Sequence, residues 1–195
     1  MEWMMRKRLS NQQQGFSLLE GLVAVAIIMI VMGMAMLNFG TVLPNYKANS
    51  AMDQLLYQMR SARERAIAHR IEVQVQFVGT NQIKMTEIWT VGTPPAPVTV
   101  TFEGGAQFMT FASVPDTPMA FGNAGPICFA GGTTPPPIMK FTTNGSFIDG
   151  GNTLVNGTVF LGIPGGRPST ARAITILGAT GRVRPYHYDG TAWQE

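Results

Sequence analysis

The stretch Gly15-Phe16-Ser17-Leu18-Leu19-Glu20, and the apolar run behind it through Ile27-Ile28-Met29-Ile30-Val31, decides how the rest of the chain is read. After Glu20 no charge occurs until Lys47, so the 26 residues from Gly21 to Tyr46 are uncharged. Twenty helical residues rise about 30 Å, the thickness of a bilayer's hydrocarbon core. Arg6, Lys7 and Arg8 precede the run, and no comparable basic cluster follows it closely. That asymmetry predicts a membrane span with the N-terminus in the cytoplasm and the bulk of the chain outside.

A cleaved secretory signal is the alternative. Such a signal needs a basic start, an apolar stretch of about 7–15 residues and a small-x-small cleavage site, a pattern that Gly33-Met34-Ala35 satisfies. Two features oppose it. The apolar run is too long, and Glu20 sits inside its cytoplasmic end. An unpaired charge in a membrane costs about 2.5–3.5 kcal/mol on insertion scales, so a carboxylate there calls for a function and a partner.

Gly15 through Glu20, behind a short basic leader and ahead of about 20 apolar residues, resembles the prepilin leader motif of type IV pilins and type II secretion pseudopilins. The resemblance implies that a membrane-embedded prepilin peptidase and N-methyltransferase cuts between Gly15 and Phe16 and methylates the new Phe16 amine. It also implies a type IV pilin fold, an α+β architecture with a long N-terminal helix on an antiparallel β head. Glu20 would meet the Phe16 ammonium of a neighbouring subunit in a filament. A buried ion pair of that kind fixes register. The implied organisation is a leader at residues 1–15, a membrane and filament-core helix at 16–45, and a periplasmic head at 46–195.

Composition agrees with a turn-rich head. Of 195 residues, 22 are Gly and 13 are Pro, too many for an all-helical bundle, and only 13% are charged, too few for an extended disordered chain. The net charge of +3 is mostly local: residues 1–15 hold three basic residues against Glu2, and the remaining 180 hold 11 basic against 10 acidic, a sum of +1. That balance disfavours a chain that coats nucleic acid over its whole surface. One cysteine, Cys128, excludes an intrachain disulfide framework.

Past the span the pattern becomes amphipathic. Met52, Leu55, Leu56, Met59, Ala62, Ala66 and Ile67 follow the i, i+3, i+4, i+7 spacing of one helical face, which predicts a helix over 46–70. Arg60 and Glu64 stand as an i, i+4 pair. Asn38, Gly40 and Pro44 predict a kink or unwound stretch near 38–44. The run Gln58–Ala68 resembles the helix end of the GspH/FimT branch, where a strand follows directly. Ile71–Val78 alternates as that strand should, and Gly79-Thr80-Asn81 turns it toward Ile83–Trp89. Further strands are expected at 98–102, 107–111, 138–142, 158–163, 173–177 and 183–188, with loops at 91–97, 114–126 and 131–137. This β-rich part, 71–195, should form a sandwich or two packed sheets.

No phosphate-cradling loop, HExxH, CxxC or GxSxG occurs, so no catalytic residue, metal site or cofactor is expected and an enzyme is disfavoured. Cys128 is expected in the core, His69 at an exposed helix end, and Trp89 and Trp193 as packing residues. Asn144-Gly145-Ser146 and Asn156-Gly157-Thr158 read as turns. Gly181-Arg182-Val183-Arg184 points both arginines to one side of a strand, with Tyr186 and Tyr188 on the same side and Arg167 and Arg172 upstream. Arginines among tyrosines suit phosphate contacts and base stacking. The run resembles the GRxR of DNA-binding FimT-type minor pilins, although a solvated strand edge reads the same way. The expected function is a non-enzymatic minor pilin or pseudopilin of the inner membrane. It would initiate or cap a filament with other pilins as partners. The alternative is a minor pilin that binds DNA through Arg182 and Arg184.

Overall fold

The computed structural model describes residues 17–132 and 135–195. The chain divides into two compact units, one ending at Thr41 and the other running Val42–Glu195. A single long helix, α1, spans Leu18–His69. Pro44 lies inside it, and the helix is not interrupted across 38–44, where the sequence predicts a break. A proline removes one backbone donor. Here one lost bond does not end the helix.

In the second unit one face of α1 is buried. Ala48, Ala51, Leu55, Met59, Ala62 and Ala66 are each at most 1% exposed. Met52 and Leu56 pack at the margin of this stripe. Ile67 departs from expectation at 42% exposure, because it lies beside the sheet-facing stripe rather than on it. Arg60 and Glu64 do not meet. Arg65 instead reaches Glu87 at 3.2 Å.

Eleven strands follow among the described residues: β1 (Glu72–Val78), β2 (Gln82–Ile88), β3 (Val98–Thr101), β4 (Gln107–Phe108), β5 (Ile127–Phe129), β6 (Met139–Phe141), β7 (Phe147–Asp149), β8 (Gly157–Gly162), β9 (Arg172–Leu177), β10 (Arg182–Tyr188) and β11 (Trp193–Gln194). They form two antiparallel sheets. The first has the order β3-β2-β1-β6-β7. The second has the order β11-β10-β9-β8-β4, with β5 also on β8. Strands β4 and β5 share one side of β8, pairing with residues 161–162 and 157–159 respectively.

One core joins the buried stripe of α1 to both sheets. Leu55 and Met59 from the helix, Val73, Val75, Met139 and Phe141 from the first sheet, and Val159, Leu161, Ile174, Ile176 and Val183 from the second belong to it. A smaller cluster covers the other face of the second sheet, where Phe160, Ala173, Tyr186, Tyr188 and Trp193 meet Val114 and Phe111. The head is thus an α+β fold of one helix and two packed antiparallel sheets, as the sequence predicts.

Candidate functional site

Arg6, Lys7, Arg8, Gly15 and Phe16 lie outside the described residues. The described chain begins at the helix start. Ser17 caps α1: its Oγ accepts from the Leu19 N–H at 3.3 Å, and its carbonyl accepts from the N–H groups of Glu20 at 3.0 Å and Gly21 at 3.1 Å. Serine caps well because its oxygen meets an otherwise orphaned backbone donor. Glu20 stands three residues after the cap, in the first turn, where the helix dipole favours negative charge. Its carboxylate is exposed and makes no hydrogen bond or ion pair with any described residue. From Leu18 to Ala35 no residue is buried. This is the one helix, among the described residues, long and apolar enough to cross a membrane.

The helix is fastened to the head by two arginines that the sequence does not flag as structural. Arg63 Nε donates to the carbonyls of Gly145 at 3.2 Å and Thr180 at 3.0 Å, tying α1 to two separate turns. Those turns touch. A Cβ on Gly181, whose φ is +58°, would fall 2.1 Å from the Gly145 oxygen. Glycine is required there by both backbone conformation and space. The glycine of Gly181-Arg182-Val183-Arg184 therefore has a packing reason.

Arg172 is the second fastener, 4% exposed. Its Nε donates to Asn49 Oδ1 at 2.6 Å, Nη2 to Asn45 Oδ1 at 3.3 Å, and Nη1 to the carbonyls of Ser169 and Ala171, each at 2.8 Å. Burial lowers its pKa from the ordinary arginine value. Its donors are committed inside the head, which removes it from the set of arginines available to a partner.

Arg182 and Arg184 do share one face of β10, as the alternation predicts, beside Thr175 and Leu177 of β9 and Met119. Arg182 is exposed, and its guanidinium has no partner among the described residues. Arg184 is half-buried and reaches Glu195 Oε2 at 3.5 Å. The β10–β11 hairpin brings that carboxylate close, and Asp189 holds the turn. Asp189 Oδ1 accepts from the N–H groups of Thr191 at 2.7 Å and Ala192 at 2.8 Å and from the Thr191 hydroxyl at 2.7 Å. These bonds, that of Ala192 foremost, hold the Asp189 carboxyl below the usual carboxylate range. Tyr186 and Tyr188 continue the arginine face but are only 4% and 6% exposed, packed with Trp193 and Phe160. The expected stacking platform is absent because their rings complete the outer hydrophobic cluster.

The remaining candidates are structural. Cys128 is fully buried and its thiol meets the Gly125 carbonyl at 3.1 Å. His69 is exposed at the end of α1, with its ring 6.4 Å from that of Trp89. Trp193 is buried and donates to the Pro115 carbonyl at 2.8 Å, whereas Trp89 is 39% exposed. Asn144 does cap a turn, accepting from Ser146 N–H at 3.1 Å. Asn156 instead braces the next hairpin, accepting from Gly178 N–H at 2.8 Å. No group of His, Cys, Asp and Glu suited to a metal occurs among the described residues.

Residues 10–36 match the prokaryotic N-terminal methylation motif. No curated protein matches the chain in sequence. Among solved structures, the type IV minor pilin FimU of Pseudomonas aeruginosa is similar at 15% identity, over 77% of this chain and 94% of that one, with a TM-score of 0.49. The minor pseudopilin EpsH from the Type 2 Secretion System of Vibrio cholerae is similar at 14% identity, over 72% and 97%, with a TM-score of 0.47. The methylation motif thus covers the start of an exposed apolar helical stretch, and a two-sheet antiparallel head follows it in the sequence.

Proposed function

We propose that the chain is a minor pilin or minor pseudopilin of the GspH/FimT branch, which helps initiate or cap a type IV pilus or a type II secretion pseudopilus. In this reading residues 1–15 are a leader that prepilin peptidase removes between Gly15 and Phe16, and the new Phe16 amine is N-methylated. Residues 16–45 span the inner membrane and later enter the filament core, with the N-terminus cytoplasmic. Residues 46–195 form a periplasmic head. One observation carries the reading: Glu20, in the first turn of α1, is a carboxylate with no partner among the described residues, inside the exposed and otherwise uncharged stretch Leu18–Ala35. In a bilayer that group costs about 2.5–3.5 kcal/mol unless something neutralises it. The Phe16 ammonium of an adjacent subunit does so, and the pairing sets the axial register of the two helices.

Mass analysis of the N-terminus after co-expression with a prepilin peptidase tests this. A mature chain that begins at N-methylated Phe16 is the expected result. A retained leader, or cleavage near Ala35, overturns it.

One observation favours the alternative of a DNA-uptake minor pilin. Arg182 is exposed without a partner among the described residues, next to Arg184 on the same strand face. With Tyr186 and Tyr188 buried, any contact there rests on phosphates rather than on stacked bases.

A further inference from the structure

In the first sheet β3 has β2 on one side and, among the described residues, no strand on the other. The register sets Thr101 against Gln82, Val100 against Ile83 and Val98 against Met85. The Phe102 N–H donates to the Asn81 carbonyl at 2.8 Å. In an antiparallel ladder every second residue turns both its N–H and its C=O toward the partner strand. Val98, Val100 and Phe102 therefore face β2, while Thr99 and Thr101 turn theirs to the open edge. Both threonines are exposed, and no described residue outside the sheet takes up these groups. Natural sheet edges are blunted by short strands, lysines, prolines or bulges. The outer strands β4, β5, β7 and β11 have only two or three residues each. Leu154 also bridges Ile148 on the outer side of β7. In contrast β3 has four residues, and residues 88–102 carry no charged side chain. Its one guard is Pro97, just ahead of it.

We propose that the β3 edge is the contact surface for a second copy of this chain, whose own β3 pairs with it antiparallel about a two-fold axis through Val100. The open groups are placed symmetrically about that residue. The rotation sets Thr99 opposite the partner's Thr101 and Thr101 opposite the partner's Thr99, so every outward N–H and C=O of both residues finds a partner. The side chains agree with this register. Val100 meets the partner's Val100 on the core side, and threonine meets threonine on the solvent side, both favourable cross-strand pairs. Across the junction each solvent-side row reads Lys84, Thr99, then the partner's Thr101 and the partner's Gln82, so no like charges oppose each other. Glu103 would stand opposite the partner's Pro97, which keeps the two Glu103 carboxylates about 20 Å apart along the strands. The edge therefore asks for an uncharged, β-branched segment whose open groups sit on two alternate residues, and the chain's own β3 is such a segment. Two short strands make a contact well below a standard stable interface, so a covalent trap suits it. This surface lies wholly within the head unit and does not depend on processing at Phe16.

The test places cysteines on the full chain in a non-ionic detergent, under mild oxidation, and reads dimer on a non-reducing gel. Cys128 is buried, so the wild type should stay monomeric. Hydrogen-bonded neighbours across a ladder lie about 5.5 Å apart and diagonal ones about 7–8 Å, and a disulfide spans about 4.4–6.8 Å between Cα atoms. Thr99→Cys mixed with a size-tagged Thr101→Cys should therefore give a mixed dimer, at about tenfold or more the yield of either variant alone. Val100→Cys should dimerise by itself, because the axis brings its two copies to about 4.5 Å. Adding Thr99→Pro to Val100→Cys should lower that yield about tenfold or more, since it removes two of the four bonds. It leaves the pairing with β2 intact, and proline is tolerated on an edge strand. Thr99 and Thr101 are exposed, so the mixing result does not depend on how the Val100 variants fold. Equal yields from the mixed and the single threonine variants overturn the proposal, as does an unchanged yield with Thr99→Pro. So does absence of dimer in every variant while circular dichroism shows an intact head.

Discussion

Between Leu18 and Ala35 every residue of α1 is exposed, and Leu22, Ile27, Ile28, Ile30 and Val31 each show half or more of their surface. Between Ala48 and Ala66 six side chains at helical spacing are buried to 1% exposure or less. The first stretch is apolar on all sides, the second on one. A helix apolar all round has no stable place in water and needs a second phase or other helices. An amphipathic helix needs only its own sheet. Each stretch therefore calls for a different surrounding, the first for an apolar phase or other helices and the second for residues 71–195 of the same chain.

That contrast is easiest to break with paired truncations. Leu55→Ala should lower head stability by about 2–5 kcal/mol, since it deletes a fully buried side chain and leaves a cavity. Ile28→Ala should leave it within about 0.5 kcal/mol. Denaturant unfolding in detergent, followed by near-ultraviolet circular dichroism, compares them. Similar losses in both would mean that the first stretch also packs on the head.

The first stretch has its own requirement. Glu20→Ala should leave membrane insertion intact, because removing a carboxylate eases transfer. Recruitment should suffer by the worth of a charge-assisted hydrogen bond, about 1.5–3 kcal/mol, read as loss of cross-links to other pilins in the membrane. Wild-type cross-link yield in the variant would break the proposed pairing with Phe16.

The second stretch is held by more than its apolar stripe, and Gly181→Val tests that attachment. A side chain there must leave the left-handed conformation and push away Gly145, whose carbonyl Arg63 also binds. A cost of about 1–3 kcal/mol is expected for such backbone strain. A melting temperature equal to wild type would show that the two turns can separate without loosening the helix.

How far the sequence could reveal these features follows from the range of each interaction. Periodicity is local, so it locates the buried stripe of α1 and the strands β1, β2, β8, β9 and β10. Alanine carries little hydrophobic weight, so Ala48 and Ala51 escape notice although both are buried. Strands β5, β7 and β11 have three, three and two residues, too short to show an alternation; β5 is placed by β8, distant in sequence, whereas β7 and β11 only close hairpins onto β6 and β10. Arg63 has no local signature, because its acceptors lie 82 and 117 residues away. Alternation put Tyr186 and Tyr188 on the correct face. It could not foresee that the loop carrying Phe111 and Val114 covers that face. Near the N-terminus the reverse holds: the motif at Gly15–Glu20 is entirely local, and its function concerns other molecules.

Arginines divide as the apolar residues do, and this gives the smallest expected effect. Among the described residues Arg63 and Arg172 have internal acceptors, whereas the Arg182 guanidinium has none and Arg184 has a partly exposed pair with Glu195. An exposed pair of that kind is worth about 0–1 kcal/mol and weakens with salt, so it does not withhold Arg184 from a competing anion. If these two contact phosphates, the head should bind duplexes of unrelated sequence equally, since phosphate contacts carry no base information. Two neutralised phosphates give a log–log salt slope of about −2, and affinity should be modest. Arg182→Gln with Arg184→Gln should remove most of the binding without unfolding the head, because neither guanidinium belongs to the core. Glu195→Gln should raise affinity slightly by releasing Arg184. A mobility-shift titration at low salt decides: equal shifts in wild type and double variant, or none in either, would leave the exposed arginines as solvated strand residues.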